Sequence, residues 1–291
     1  MNNENGTPLL TDKLQRRGQD FIALLRDPLD GGHLKRDGEH TLINLDTNMR
    51  YPIKNQIVHL ATPEQLVELE RITQAQTDQF QTKGWRAPTI EEFRSLPQTA
   101  IPTWDEAYWA KRAAAVGEMW RILEQIRIEA DLLPIGPMGH AVDLSDGMGW
   151  VGYGLDISGY VTIVVSSCTG PYGLDVFPHS RYLKVQADIT NPPLAPHSFD
   201  LVTVSFCLSE ETNTQLLLQN AAKLLKPNGN VLVLAAEDFD IDAAIQALQA
   251  SGLAIRKQRV GPLGSTVSRA VKNLLQRGPN VPPIIIGQRI R

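Results

Sequence analysis

Thiols are scarce in this sequence. Only Cys168 and Cys207 occur among 291 residues, each in or beside an apolar stretch that reads as a strand. A buried free thiol is the expected state of both, rather than a disulfide partner or a nucleophile. No apolar run approaches the ~18 residues needed to cross a bilayer. The polar start, Met1 to Gln15, lacks the apolar core of a signal peptide, so the expected compartment is cytoplasmic, with no membrane partner. An excess of positive charge is missing too. Twenty-eight basic residues against thirty-two acidic ones give a formal net charge of -4, which argues against a broad electrostatic grip on nucleic acid while leaving room for a local basic patch. Internal repeats and low-complexity tracts are absent. What remains is an ordinary globular composition, 42 % apolar and 21 % charged. The chain has room for a domain of about 150 residues and one smaller unit.

The N-terminal half divides by rhythm. Residues 1–20 read as a flexible arm. Residues 21–61 read as short strands around turns, punctuated by Pro28, Gly31-Gly32, Asn55 and the hairpin signal Asp37-Gly38. Residues 62–133 read as a helical connector. Thr62 as N-cap, Pro63 at the first helical position and Gln65 as capping-box partner open its first helix, striped by Leu66, Leu69 and Ile72. A short helix is expected at Ile90–Ser95. Thr103 with Glu106 repeats the capping box and opens a longer helix to about Ala130, with Val116, Met119, Trp120 and Leu123 at helical spacing. Trp104, Tyr108 and Trp109 load its start with aromatics, which suits packing against the next unit or the wall of a cleft.

From residue 134 to 291 short strands and helices alternate. Strands are expected at His140–Leu144, Tyr160–Val165, Tyr182–Val185, Phe199–Phe206, Asn230–Ala235, Ala254–Val260 and Pro283–Arg289, with helices at Gln215–Leu225 and Ile241–Ser251. This predicts an α/β fold: a doubly wound, mostly parallel seven-stranded sheet. Ligands bind such sheets at the carboxyl ends of the strands, near the topological switch point. The loop after the first strand, Val142-Asp143-Leu144-Ser145-Asp146-Gly147-Met148-Gly149-Trp150, is therefore the place to look. Its glycines let the main chain turn tightly and approach a ligand closely.

Three stretches carry a family resemblance, in the same order and at matching separations. DLSDGMGW resembles the glycine motif of the S-adenosylmethionine-dependent methyltransferases. VQADITNPPLAPHSFDLVTVSF resembles that family's third-strand acid, proline turn and fourth strand. LLKPNGNVLVLA resembles its helix end, turn and fifth strand. The resemblance covers about 150 residues and implies a Rossmann-like methyltransferase domain at 134–291, with S-adenosylmethionine as cofactor. It places Asp143, Gly147 and Gly149 toward the methionine part of the cofactor, Asp188 and the Ile189 backbone at the adenine edge, and Ser205 with its neighbours to Leu208 beside the transfer point. For Asp143 and Asp188 the residues also allow a purely local role, tying strand-end backbone. The sequence departs from the family at two positions. Ser145 stands at the first glycine of the motif, where a left-handed conformation would cost roughly 1–2 kcal/mol. Ser166 stands where the family has an acid that accepts both ribose hydroxyls, forgoing hydrogen bonds worth roughly 1.5–3 kcal/mol. Compensation would come from Cys168–Tyr172.

The segment LLRDPLDGGHLKRDGEHTLINLDTNMRYPI resembles the zinc ribbon that precedes some bacterial methyltransferase domains. Its four ligand positions fall on Asp27, Asp30, Asn44 and Thr47, with no thiol, so the segment reads as a degenerate ribbon at 21–61 without metal, stabilised by packing on the larger domain. His33 and His40 read as solvated loop residues. The implied function is methyl transfer from S-adenosylmethionine to an unidentified small-molecule acceptor, with nucleic acid not expected. Catalytic residues stay unassigned; Glu210 and Glu211 are the nearest base candidates, with a solvated helix start as their other reading. The two departures open an alternative, a catalytically inactive methyltransferase-like protein that binds or scaffolds a protein partner.

Overall fold

The computed structural model describes residues 15–16, 19–95, 101–129, 139–145, 147–178, 180–208, 212–234, 241–259 and 284–289. Of the expected N-terminal arm it describes only strands β1 (Gln15–Arg16) and β2 (Gln19–Asp20), an antiparallel pair. Glu210 and Glu211 lie outside the described residues.

Turn chemistry builds the first half. Strands β3 (Leu34–Arg36) and β4 (Thr41–Asn44) pair antiparallel around the expected hairpin, with Gly38 at φ +75°. Strands β5 (Arg50–Lys54) and β6 (Ile57–His59) continue the meander. Thr62 then caps helix α1 (Pro63–Thr82) with the full reciprocal capping box. Helix α2 (Ile90–Ser95) starts on a second box, Thr89 with Glu92. Helix α3 (Glu106–Glu129) corrects the sequence reading. Its cap is Asp105, whose Oδ1 accepts from Tyr108 N; the Thr103 hydroxyl is taken by Arg86 N.

The second half alternates as expected: β7 (His140–Ser145), α4 (Trp150–Ile157), β8 (Val161–Ser166), β9 (Leu183–Gln186), β10 (Phe199–Ser205), α5 (Thr214–Leu224), β11 (Leu225–Leu234), α6 (Ile241–Ala250), β12 (Leu253–Arg259) and β13 (Ile284–Arg289). The turn expected at Lys226-Pro227-Asn228-Gly229 is instead a break in register within β11, with Asn228 at φ +65°.

The sheet has eleven strands where seven were expected. Its order is β12-β13-β11-β10-β7-β8-β9-β6-β5-β4-β3. β7 to β13 supply the seven; β6 then pairs parallel with β9 (Ile57 to Lys184, Val58 to Val185, His59 to Gln186) and brings β5, β4 and β3 into the same sheet. Among the described residues of this sheet, the β11–β13, β12–β13, β3–β4, β4–β5 and β5–β6 pairs are antiparallel and the rest are parallel. Side chains alternate across the pleat. Val142, Leu144, Val202, Val204, Val231 and Val233 join α5, α6 and the ribbon residues Phe21, Leu25, Leu42 and Tyr51 in one core. Ala141, Val164, Leu201 and Leu232 face α1 to α4 in the other. The ribbon thus shares a core with the larger sheet. Both cysteines are buried, and neither is in a disulfide. No described helix is long and apolar enough to cross a membrane.

Candidate functional site

At the carboxyl end of β7 the chain must turn into α4 without lifting away from β8. Gly149 makes that turn at φ +70°; a Cβ there would stand 2.7 Å from Val164 Cγ1, and one on Gly152 2.2 Å from Val164 Cγ2. Only glycine meets both demands. Ser145, by contrast, is extended strand, so the left-handed cost considered for it is not incurred. Its Oγ faces inward along the loop, accepting from Gly147 N at 3.4 Å and Gly149 N at 3.3 Å. Asp143 is wholly buried and does not present its carboxylate to the cleft. It accepts from Thr203 Oγ1 (2.8 Å), Ser205 Oγ (2.7 Å) and Gly152 N (2.9 Å), tying β10 and α4 to β7. Asp143 and Ser205 therefore meet each other.

Register lines up the other predicted residues. Ser205 is level with Ser145, Ser145 with Ser166, Ser166 with Gln186, and Gln186 with His59. A neutral polar row thus crosses five strands beneath the place where ligands of such sheets bind. Ser166 Oγ accepts from Cys168 N (3.1 Å). His59 Nδ1 donates to Gln186 Oε1 (2.6 Å), whose amide nitrogen donates to Ser167 O (3.3 Å). Burial lowers the His59 pKa, against the opposing effect of Gln186. Asp188 holds its own turn, Oδ1 accepting from Thr190 N (2.8 Å) and Thr190 Oγ1 (2.7 Å), while Ile189 packs half-buried on the core.

Above this floor lie helix α1, which the sequence reading did not connect with the site, and the loop after β8. Helix α1 runs across the carboxyl ends, its Thr73 Oγ1 accepting from Thr169 N (3.2 Å). The loop after β8 folds back under it. Tyr172 OH donates to Trp85 O (2.6 Å), and its ring meets Phe80 edge-on. Gly170 turns at φ +76°, and a Cβ on Gly173 would strike Thr169 O at 2.4 Å. Below that loop the buried Lys184 donates to Leu174 O (3.0 Å) and Phe177 O (3.4 Å); desolvation lowers its pKa to about 8. On the β10 side Trp109 stacks on Trp150, and Trp150 on Phe206. The Arg112 guanidinium lies 3.7 Å from the Tyr108 ring centre and 4.9 Å from that of Phe206. The aromatics opening α3 thus pack into the core on the α4 side of the sheet, beside the end of β10.

The ribbon positions also come together. Asn44 Nδ2 donates to Asp27 Oδ2 (2.8 Å) and to both Asp30 oxygens (3.1 Å each). Asp27 Oδ1 accepts from Leu29 N, Asp30 Oδ1 from Gly32 N, and Asn44 Oδ1 from Asp46 N. Thr47 stays apart, accepting only locally from Met49 N. Zinc does not fit these donors. An amide N–H points between two carboxylates where a cation would need lone pairs, and oxygen donors hold zinc poorly against water. Among the described residues no cluster of His, Cys, Asp and Glu forms a metal site; His33 and His40 are exposed.

This geometry is a glycine turn at the end of the central strand, where the strand order reverses between β8 and β10. Residues 136–233 match the methyltransferase domain family. That stretch runs from just ahead of β7 almost to the end of β11. Among curated proteins, the chain is 28% identical over 138 residues to a demethylmenaquinone methyltransferase of Mycolicibacterium paratuberculosis, covering 47% of this chain and 52% of that one. It is 42% identical over 61 residues to a hybrid PKS-NRPS synthetase of Xenoacremonium sinensis, covering 21% and 2%. The chain thus spans about half the length of the first and a small fraction of the second. Among solved structures, a 1,6-didemethyltoxoflavin-N1-methyltransferase of Burkholderia thailandensis, bound to 1,6-didemethyltoxoflavin and S-adenosylhomocysteine, aligns over 87% of this chain and 100% of its own, with 12% identity and a TM-score of 0.48.

Proposed function

We propose that this protein transfers a methyl group from S-adenosylmethionine to a small-molecule acceptor. The observation that carries the reading is the forced left-handed Gly149 turn at the switch point of the sheet, inside the stretch that matches the methyltransferase domain. The fit to the cofactor is supported at its amino-acid end, where the Tyr172 carbonyl and the Gln76 amide converge on Gly147 of the glycine turn. At the ribose end they offer hydroxyl, amide and imidazole groups in place of a carboxylate: Ser166, Gln186 and His59. S-adenosylmethionine supplies an already activated methyl on its sulfonium. The protein's part is then alignment and exclusion of water. Asp143 fixes the glycine turn from below, and Trp150 with Phe206 shields the β10 side. The small-molecule acceptor is favoured by the names of the relatives and by the absence of a positive charge excess. The inert-scaffold reading gains no support from the geometry or the comparisons. Calorimetric titration with S-adenosylmethionine and S-adenosylhomocysteine tests the proposal: saturable, equimolar binding of both is expected, and no binding at millimolar ligand overturns it.

A further inference from the structure

We infer that Gln76, together with the Tyr172 carbonyl, forms the clamp that recognises the α-amino-acid end of the methyl donor. The inference rests on the function proposed above and assigns that site a residue from outside the methyltransferase-domain match. A Cβ placed on Gly147 would have three atoms around it: Tyr172 O at 3.0 Å, Gln76 Nε2 at 3.1 Å and Gln76 Oε1 at 3.5 Å. Two unrelated segments, the middle of α1 and the loop after β8, therefore converge on one glycine of the turn.

Their chemistry is that of a zwitterion. An ammonium group needs acceptors, which the Tyr172 carbonyl and Gln76 Oε1 provide. A carboxylate needs donors, which the Gln76 amide provides beside the N-terminal turn of α4. A glutamine offers both kinds with no net charge, so it serves both poles of an amino acid without repelling either. Its pattern within α1 supports the same role. Leu69, Thr73, Gln76 and Phe80 follow one another on the inward face at spacings of three and four residues. Leu69 and Phe80 are buried and apolar. Between them the half-buried residues Thr73, Gln76 and Thr77 are polar; Thr77 Oγ1 donates within the helix to Thr73 O, while Thr73 and Gln76 lie above the β8 loop and the glycine turn. A helix that only packed there would be expected to stay apolar. The clamp's two halves are also held in register, by the Thr169–Thr73 and Tyr172–Trp85 hydrogen bonds. Gln76 itself is only half-buried, so its head can exchange neighbours for a ligand.

The experiment compares two probes on the whole protein by calorimetry. S-adenosylhomocysteine carries the amino-acid end; 5′-methylthioadenosine shares the nucleoside and thioether but lacks it. In Gln76→Ala, affinity for S-adenosylhomocysteine is expected to fall about tenfold, as for the loss of a hydrogen bond to a charged group, with methylthioadenosine binding unchanged. Gln76→Asn, one methylene shorter, should show the same selective loss. Unchanged or tighter S-adenosylhomocysteine binding overturns the inference and makes Gln76 a space-filler. Equal weakening of both probes also overturns it, since it reports a displaced α1. If the parent binds neither probe, the methyl-donor reading itself fails.

Discussion

The N-terminal β segment and the glycine-turn end of the sheet both carry other residues where their resemblances lead one to expect ligand groups, and the two differ in how those residues are bonded. In the ribbon, Asp27, Asp30 and Asn44 bond one another, with Asp27 and Asn44 almost wholly buried. In the cleft the replacements bond mainly to their own turn, as Ser145 and Ser166 do, while Gln76 and Tyr172 converge on a bare glycine. Mutual satisfaction marks a structural clasp; donors and acceptors from two separate segments gathered on one glycine turn carry the proposed site.

The comparison breaks most sharply at Asn44. Asn44→Ala removes the donor shared by two carboxylates, and denaturant unfolding should show a loss of about 3 kcal/mol, with cofactor affinity unchanged. A loss below about 0.5 kcal/mol, the range of ordinary surface substitutions, would mean the clasp contributes little. Next comes the one strongly buried amine under the cleft loop. The Lys184 pKa is lowered in the folded state to about 8 from 10.5, so its burial penalises folding at pH 7 and that penalty lifts as pH rises toward 10. Relative to Lys184→Met, the parent should gain roughly 2 kcal/mol over that range; parallel pH profiles would remove the charge from the balance. Asp188→Ala should cost about 1 kcal/mol of stability, as for a lost cap, and lower S-adenosylhomocysteine affinity several-fold. If only stability moves, Asp188 braces its turn and nothing more. The smallest effect expected is none: exhaustive chelation should leave the melting temperature where it was, and one zinc per chain by elemental analysis would contradict the clasp.

What could be read in the sequence was local. The Thr62 box, the Asp37-Gly38 hairpin and the glycine turn each signal themselves within a few residues, and strand alternation gave the seven strands of the larger sheet. The joining of β6 to β9 is a parallel edge pairing across more than 120 residues, and nothing near Ile57 announces it. Thr103 and Glu106 mimic a capping box two residues ahead of the real cap, Asp105; the partner of the Thr103 hydroxyl, Arg86, lies in another segment. For Asp143 the sequence leaves two readings, a cofactor contact or a local tie; the partners of the tie, Thr203 and Ser205, lie on a neighbouring strand about sixty residues away. For Gln76 the signal was present, as the polar interruption between Leu69 and Phe80, but its meaning depends on what lies beneath the helix.

The seam between β6 and β9 has a consequence for how the protein behaves among copies of itself. Without residues 21–61, β9 would face solvent with a row of unpaired amides and carbonyls beside Leu183 and Val185, the kind of edge on which a strand from another molecule can dock. With them, this end of the sheet closes on β3, three residues long and carrying Lys35 and Arg36. Such an edge is too short and too cationic to recruit a neighbour. Residues 21–61 thereby cover the β9 edge, and a chain trimmed to residues 62–291 is expected to scatter more light than the full chain at equal concentration.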